Sequence, residues 1–111
     1  MTIKEQAFRG KTFTVAKGSL HPEYSLYTFT DEERDIREAY WDVREGDVVL
    51  DVGASYGSYT LPACAVGATV VAFEPEPLVF TDFVQNLQLN GWLRTRCHPF
   101  NCGLWNSAAL V

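Results

Sequence analysis

Val48-Val49-Leu50-Asp51-Val52-Gly53-Ala54-Ser55-Tyr56-Gly57 reads as an apolar strand that reaches an acid, turns through small residues and opens a helix. A second apolar run, Thr69-Val70-Val71-Ala72-Phe73, ends in another acid, Glu74. Ligands of open α/β sheets lie beyond the carboxyl ends of the strands. Asp51, Gly53 and Glu74 all map to that edge, and together they make a place to hold a nucleoside.

Around this stretch the pattern alternates. A helix is predicted over about 58–66, with Gly67 placed as its C-cap. The strand at 69–74 is broken by Pro75-Glu76-Pro77, and Pro77 suits the first position of a further helix. Leu78, Phe80, Phe83, Val84 and Leu87 supply the buried face of that helix, and Asn90-Gly91 ends it. A third strand is predicted over 93–98. The first two strands are continuous apolar runs, which predicts a parallel sheet buried on both faces. The architecture is α/β, as β-α-β-α-β with right-handed crossovers.

Upstream, Thr30-Asp31-Glu32-Glu33 is a capping box with acids in the first helical turn. Ile36, Ala39, Tyr40 and Val43 fall on one face of that helix, and Glu45-Gly46-Asp47 ends it. Residues 8–15 carry β-formers around Gly10 and predict a short hairpin or a single strand. Gly18 to Ser25 reads as loop. The chain thus divides into an N-terminal β/loop segment, 1–29, and an α/β unit, 30–111.

At 111 residues one domain is the limit, and 47% hydrophobic content supports a packed core. The net charge is −5, with no Lys/Arg run, which argues against a nucleic-acid partner. No apolar run approaches the roughly 18–20 residues of a membrane span, so no membrane partner is expected. Met1 to Gly10 lacks a signal-peptide core, and a cytoplasmic location is the default expectation. Cys64, Cys97 and Cys102 are odd in number and lack CxxC spacing, so neither a disulfide framework nor a metal site is expected. Trp41, Trp92 and Trp105 read as packing residues, as do Tyr24 and Tyr27. His21 and His98 have no identifiable nucleophile partner.

The turn spacing is Gly-x-x-x-Gly, so the dinucleotide fingerprint is not met, and no Gly-Lys-Ser/Thr follows for a phosphate loop. Small residues let a ligand approach the backbone, and the following helix offers N–H groups to an anionic group. Asp51 is an acid inside an apolar strand, and burial is costly for a carboxylate without a partner. It reads either as a structural acid on the turn's N–H groups or as the partner of a cationic ligand group, and the two are compatible. Glu74 sits near the position, about 20 residues on, from which an acid bonds ribose hydroxyls.

Three motifs occur in order. They are Asp51-Val52-Gly53-Ala54-Ser55-Tyr56-Gly57-Ser58-Tyr59-Thr60, then Val71-Ala72-Phe73-Glu74-Pro75, then Asn86-Leu87-Gln88-Leu89-Asn90-Gly91. Together they resemble the class I S-adenosylmethionine-dependent methyltransferases, and most closely the FkbM-type branch with its DxGAxxGxYT, FEPxP and NLxLNG patterns. The resemblance covers about residues 30–107. It implies a Rossmann-like parallel sheet of seven strands, of which this truncated unit carries the first three behind an N-terminal helix and short β segment. It implies S-adenosylmethionine as cofactor. Asp51, Gly53 and Ala54 would surround its methionyl part, Tyr56 and Gly57 would line the turn, Glu74 would bind the ribose diol and Pro75 would lie near the adenine. Asn101 and Cys102 are adenine-side candidates.

The expected activity is O-methyl transfer to a small molecule or glycan, with the catalytic residues and the acceptor unidentified. A non-catalytic cofactor-binding or association module is the alternative. The first strand, central in the full fold, is expected here as a bare edge that invites pairing. A truncated product is one expectation. The other is a half-domain completed through that edge by a second copy or another chain.

Overall fold

The computed structural model describes residues 2–18 and 29–104. His21, Tyr24, Tyr27 and Trp105 lie outside the described residues, as do most of the expected loop at 18–25 and the chain end from 105 onward.

The chain opens with a hairpin of β1 (Ile3–Phe8) and β2 (Lys11–Ala16), paired antiparallel from Ile3↔Ala16 to Phe8↔Lys11. That register leaves two residues in the turn. Arg9 and Gly10 both take positive φ, 50° and 76°, as a tight turn matching the strand twist requires. The sequence left hairpin and single strand open, and the hairpin is what forms.

Helix α1 (Asp31–Tyr40) starts as its capping box dictates, with Thr30 Oγ1 accepting the Glu33 N–H at 3.3 Å. Its expected apolar face is not the face it buries. Ile36 and Tyr40 are exposed, Ala39 is exposed, and the one buried residue of the helix is Arg37. Arg37 stacks 4.6 Å over the Tyr59 ring and pairs with Glu33 at 3.7 Å. The helix is also shorter than expected. Val43 is buried, but from the irregular segment beyond the helix end. The Arg9 guanidinium donates to the Trp41 and Val43 carbonyls there and ties the hairpin turn to the helix C-terminus.

The parallel sheet has the order β3-β4-β5, from β3 (Val48–Val52), β4 (Thr69–Phe73) and β5 (Cys97–Phe100). Register runs Asp51↔Ala72 and Val52↔Phe73, then Val70↔Cys97 and Phe73↔Phe100. The third strand begins later than expected. Residues 93–96 form a turn in which only Leu93 bridges to Cys97.

Helix α2 (Thr60–Ala65) is a short piece of the expected 58–66 helix. It stops in a Schellman motif, with Gly67 N–H on Cys64 O and Ala68 N–H on Ala63 O, both at 3.0 Å. Helix α3 (Pro77–Leu89) has Pro77 at its start, behind Glu76, whose carboxylate accepts the Val79 N–H at 2.7 Å. Its buried side is Asp82, Phe83, Asn86 and Leu87. Leu78, expected inside, is 54% exposed.

Both α2 and α3 pack against the hairpin, and α2 also packs against β4, so the layers run sheet, helices, hairpin. The core lies between them, with Phe8, Val15, Leu61, Val70, Phe83, Leu87 and Cys97 almost fully buried. The expectation of a sheet buried on both faces does not hold among the described residues. Val48, Leu50 and Val52 are 73, 67 and 58% exposed. Successive strand residues point to opposite faces. Among the described residues, only the face carrying Val70, Ala72 and Cys97 has helices on it.

Candidate functional site

The carboxyl ends of β3 and β4 bring Asp51, the Gly53–Gly57 turn and Glu74 to one edge, as expected. Asp51 pairs in register with Ala72 and shares its covered face, so its carboxylate points toward the start of α2. Thr60, the first residue of α2 and fully buried, donates its hydroxyl to Asp51 Oδ2 at 2.6 Å. Burial raises the Asp51 pKa, the Thr60 hydroxyl opposes that rise, and the negative charge of Glu74 adds to it. Two carboxylates therefore share this edge closely enough to repel, and a cationic group placed between them is favoured.

Glu74 is 8% exposed, and both of its carboxylate oxygens take backbone N–H groups. Oε1 accepts from Ser55 at 2.8 Å and Oε2 from Glu76 at 3.0 Å. The acid thus holds the glycine turn as well as ending the strand. Ser55 is held at φ 55°, a left-handed conformation uncommon for a residue with a side chain. Asn101, a candidate for the adenine side, donates its amide to the carbonyls of Glu74 and Pro75 at 2.8 and 3.1 Å. It fixes the strand end instead of presenting its amide outward.

The turn's N–H groups are less available than the sequence implied. Gly53 and Ala54 both donate to Phe73 O, at 2.8 and 3.0 Å, and Gly57 donates to Ala54 O at 3.0 Å. With Ser55 on Glu74, these four amides are occupied within the protein, so they are not a ready anion cradle. Tyr56 and Ala54 are 2 and 3% exposed, so they shape the turn from inside the core. The two glycines differ. At Gly53, φ 78°, a Cβ would meet nothing within 4 Å, so the backbone there is open to an approaching ligand. At Gly57, φ 103°, a Cβ would lie 3.1 Å from Leu61 and Phe83, which makes that glycine a packing requirement.

The remaining candidates separate cleanly. Cys64 and Cys97 are fully buried, and burial pushes the Cys64 thiol up to about 12 and the Cys97 thiol up as well. Cys97 faces the core while His98 faces out, so these neighbours cannot ligate one ion together. Among the described residues no group of three His, Cys, Asp or Glu side chains converges on a metal position. No helix among them is long and apolar enough to cross a membrane. Trp41 packs between Phe8 and Tyr59, with ring centroids 6.0 and 5.2 Å away, and Trp92 lies under Arg96. Sequence reasoning missed Thr60 and Ser55 as parts of the site's frame. The Tyr59-Thr60 end of the first motif was the available signal for Thr60.

No family model matches the chain. A curated relative, Probable ribosomal RNA small subunit methyltransferase A of Methanothermobacter thermautotrophicus, is 33% identical over 64 residues, covering 58% of this chain and 23% of the relative. The chain therefore spans about a quarter of that relative's length. Among solved structures, Pyrococcus horikoshii TYW2 in complex with MeSAdo is 25% identical with a TM-score of 0.54, covering 92% of this chain and 36% of that one. The M. jannaschii tRNA m1G37 methyltransferase is 22% identical with a TM-score of 0.54, covering 88% of this chain and 28% of that one.

These similarities correct the expectation that nucleic acid plays no part. Proteins similar to this chain are named as ribosomal RNA and tRNA methyltransferases. A net charge of −5 is no argument against such a partner when the chain matches about a quarter of the relative. Phosphate contacts require clustered cations somewhere in a protein, not in every part of it. The parallel three-stranded sheet, its helices and the acid–glycine–acid edge are the first half of the class I S-adenosylmethionine-dependent methyltransferase fold, and that is the fold of this chain.

Proposed function

We propose that this chain is the cofactor-binding part of an S-adenosylmethionine-dependent methyltransferase. One observation carries the reading. Two mutually repelling carboxylates, Asp51 and Glu74, stand at the ends of adjacent parallel strands, on either side of a turn whose backbone is open at Gly53. A sulfonium cofactor fits that chemistry. Its ammonium group suits Asp51, and its ribose diol suits the Glu74 oxygens, which retain lone pairs beside the Ser55 and Glu76 amides. It carries no phosphate, in keeping with a turn that has neither Lys nor Arg. Gly53 and Ala54 would border the methionyl part, Tyr56 and Gly57 hold the turn's shape, and Pro75 would lie beside the adenine. When bound, the cofactor supplies an already activated methyl group, and the protein's part is to orient it and exclude water.

For the acceptor we propose RNA, on the strength of the ribosomal RNA relative. The second reading is O-methyl transfer to a small molecule or glycan, favoured by the three FkbM-like motifs in order.

Calorimetric titration of the 111-residue chain with S-adenosylmethionine and S-adenosylhomocysteine, with NAD as control, tests the cofactor. Saturable binding of the first two and none of NAD is expected. Absence of binding by a chain that circular dichroism shows to be folded defeats the reading. Glu74→Gln is a better probe than Glu74→Ala, because it removes the charge and keeps an oxygen for the Ser55 amide, losing only the bond from the Glu76 N–H. It is expected to weaken nucleoside binding with the turn still in place.

A further inference from the structure

The third sequence motif, Asn86-Leu87-Gln88-Leu89-Asn90-Gly91, closes α3, and the cofactor reading leaves its asparagines without a role. Asn86 and Asn90 lie one turn apart on the same helix face. Asn90 Oδ1 accepts the Thr14 N–H at 2.8 Å, while its Nδ2 donates to Thr14 O at 2.7 Å and to Asn86 O at 2.8 Å. One side chain thus satisfies both backbone groups of a β2 residue, as a neighbouring strand would. Asn86 repeats the pattern one step along, accepting the Ala16 N–H at 2.8 Å. Its other end leaves the hairpin, however. Asn86 Nδ2 donates to Tyr56 O at 2.9 Å, in the middle of the glycine turn, and the residue is 1% exposed.

Tyr56 lies between Ser55 and Gly57, at φ 55° and 103°, so the peptides around it are the ones whose orientation local preference secures least. The turn is gripped there from two sides, by Glu74 at the Ser55 N–H and by Asn86 at the Tyr56 carbonyl. A buried carbonyl deprived of its donor carries the full cost of its lost hydration. We propose, resting on the cofactor reading above, that Asn86 is a positioning residue of the cofactor turn. It holds the turn in its binding shape and links it to the N-terminal hairpin. Asn90, by contrast, bonds the hairpin and the backbone of its own helix.

The test compares Asn86→Asp, Asn86→Ala and Asn90→Ala with wild type in the full chain. Asn86→Asp keeps the oxygen for Ala16 but turns a second oxygen toward the Tyr56 carbonyl. Asn86→Ala serves if the buried carboxylate prevents folding. Affinity for S-adenosylhomocysteine is read by calorimetry, melting by circular dichroism, and amide exchange by mass spectrometry.

The Asn86 variants are expected to bind roughly tenfold more weakly, with faster exchange across 53–58. Asn90→Ala is expected to melt earlier and to exchange faster at the hairpin, with wild-type affinity. A folded Asn86 variant of wild-type affinity overturns the proposal, as does an affinity loss in Asn90→Ala equal to that in the Asn86 variants. If wild type itself binds nothing, the cofactor reading fails separately. Exchange in the ligand-free chain then decides for Asn86, because equal rates across 53–58 in wild type and Asn86→Ala also overturn it.

Discussion

At the scale of single residues, Asp51 couples this site to pH. Its pKa is raised in the folded chain, chiefly by burial, so the folded state holds that proton more tightly than the unfolded state does. The contribution of Asp51 to the ligand-free chain is therefore most favourable below the unfolded carboxylate value. It diminishes as pH rises through the raised folded value. Chemical denaturation across this acidic range should show wild type losing stability relative to Asp51→Asn as pH increases. Affinity for the sulfonium cofactor should move the opposite way, falling on acidification as Asp51 takes up its proton, and titrations at several pH values check this.

The thiols give a second residue-scale expectation. A thiol reagent should label Cys102 in the native chain, and Cys64 and Cys97 only after unfolding. The two turn glycines give a third. Gly57→Ala should cost about 1–3 kcal/mol for the left-handed backbone alone, and more for the approach to Leu61 and Phe83. Gly53→Ala bears the same kind of backbone strain without the clash. Its added methyl group should weaken cofactor binding, whereas Gly57→Ala should chiefly lower the melting temperature.

At the scale of elements, legibility followed how local the determining physics is. The bounds of β3 and the start of α3 were readable because an apolar run, a turn and a proline each act on their own residues. The start of α1 was readable from its cap. Thr30→Ala should accordingly destabilise the chain by about 1 kcal/mol, measurable by urea denaturation. The face that α1 buries was not readable, because periodicity names an apolar stripe and not the surface that receives it. Here Arg37 finds the Tyr59 ring, while Ile36 and Tyr40 meet none of the described elements closely enough to be covered. The asparagines of α3 were hidden for a related reason. Polar residues on an amphipathic helix read as its solvated side, yet Asn86 is buried because a hairpin edge distant in sequence needs its hydrogen bonds.

At the scale of the molecule, the acid–glycine–acid edge was legible because its three parts lie close in sequence and the parallel fold aligns strand ends. The coupling of that edge to the N-terminal hairpin was not, because it runs through contacts more than sixty residues apart. The sheet's two faces carry unequal weight in the 111-residue chain. Leu61→Ala, in the covered core, should cost about 2–5 kcal/mol. Leu50→Ala, 67% exposed on the other face, should stay within about 0.5 kcal/mol. Thermal denaturation of the two variants side by side checks the contrast.

The Asn90 clip also bears on how the protein ages. Asn-Gly pairs are the ones most prone to spontaneous loss of the side-chain amide, through attack of the glycine nitrogen on that amide. Here the Asn90 side chain is pinned to β2, and the Gly91 N–H is bound to Gln88 O at 3.0 Å, so native structure restrains the reaction. Once the hairpin lifts and the amide becomes an acid, a negative oxygen faces the carbonyls of Thr14 and Asn86, and the clip cannot close again. Each excursion of the hairpin thus carries a risk of irreversible chemical damage, and the closed fold restrains that damage at Asn90-Gly91.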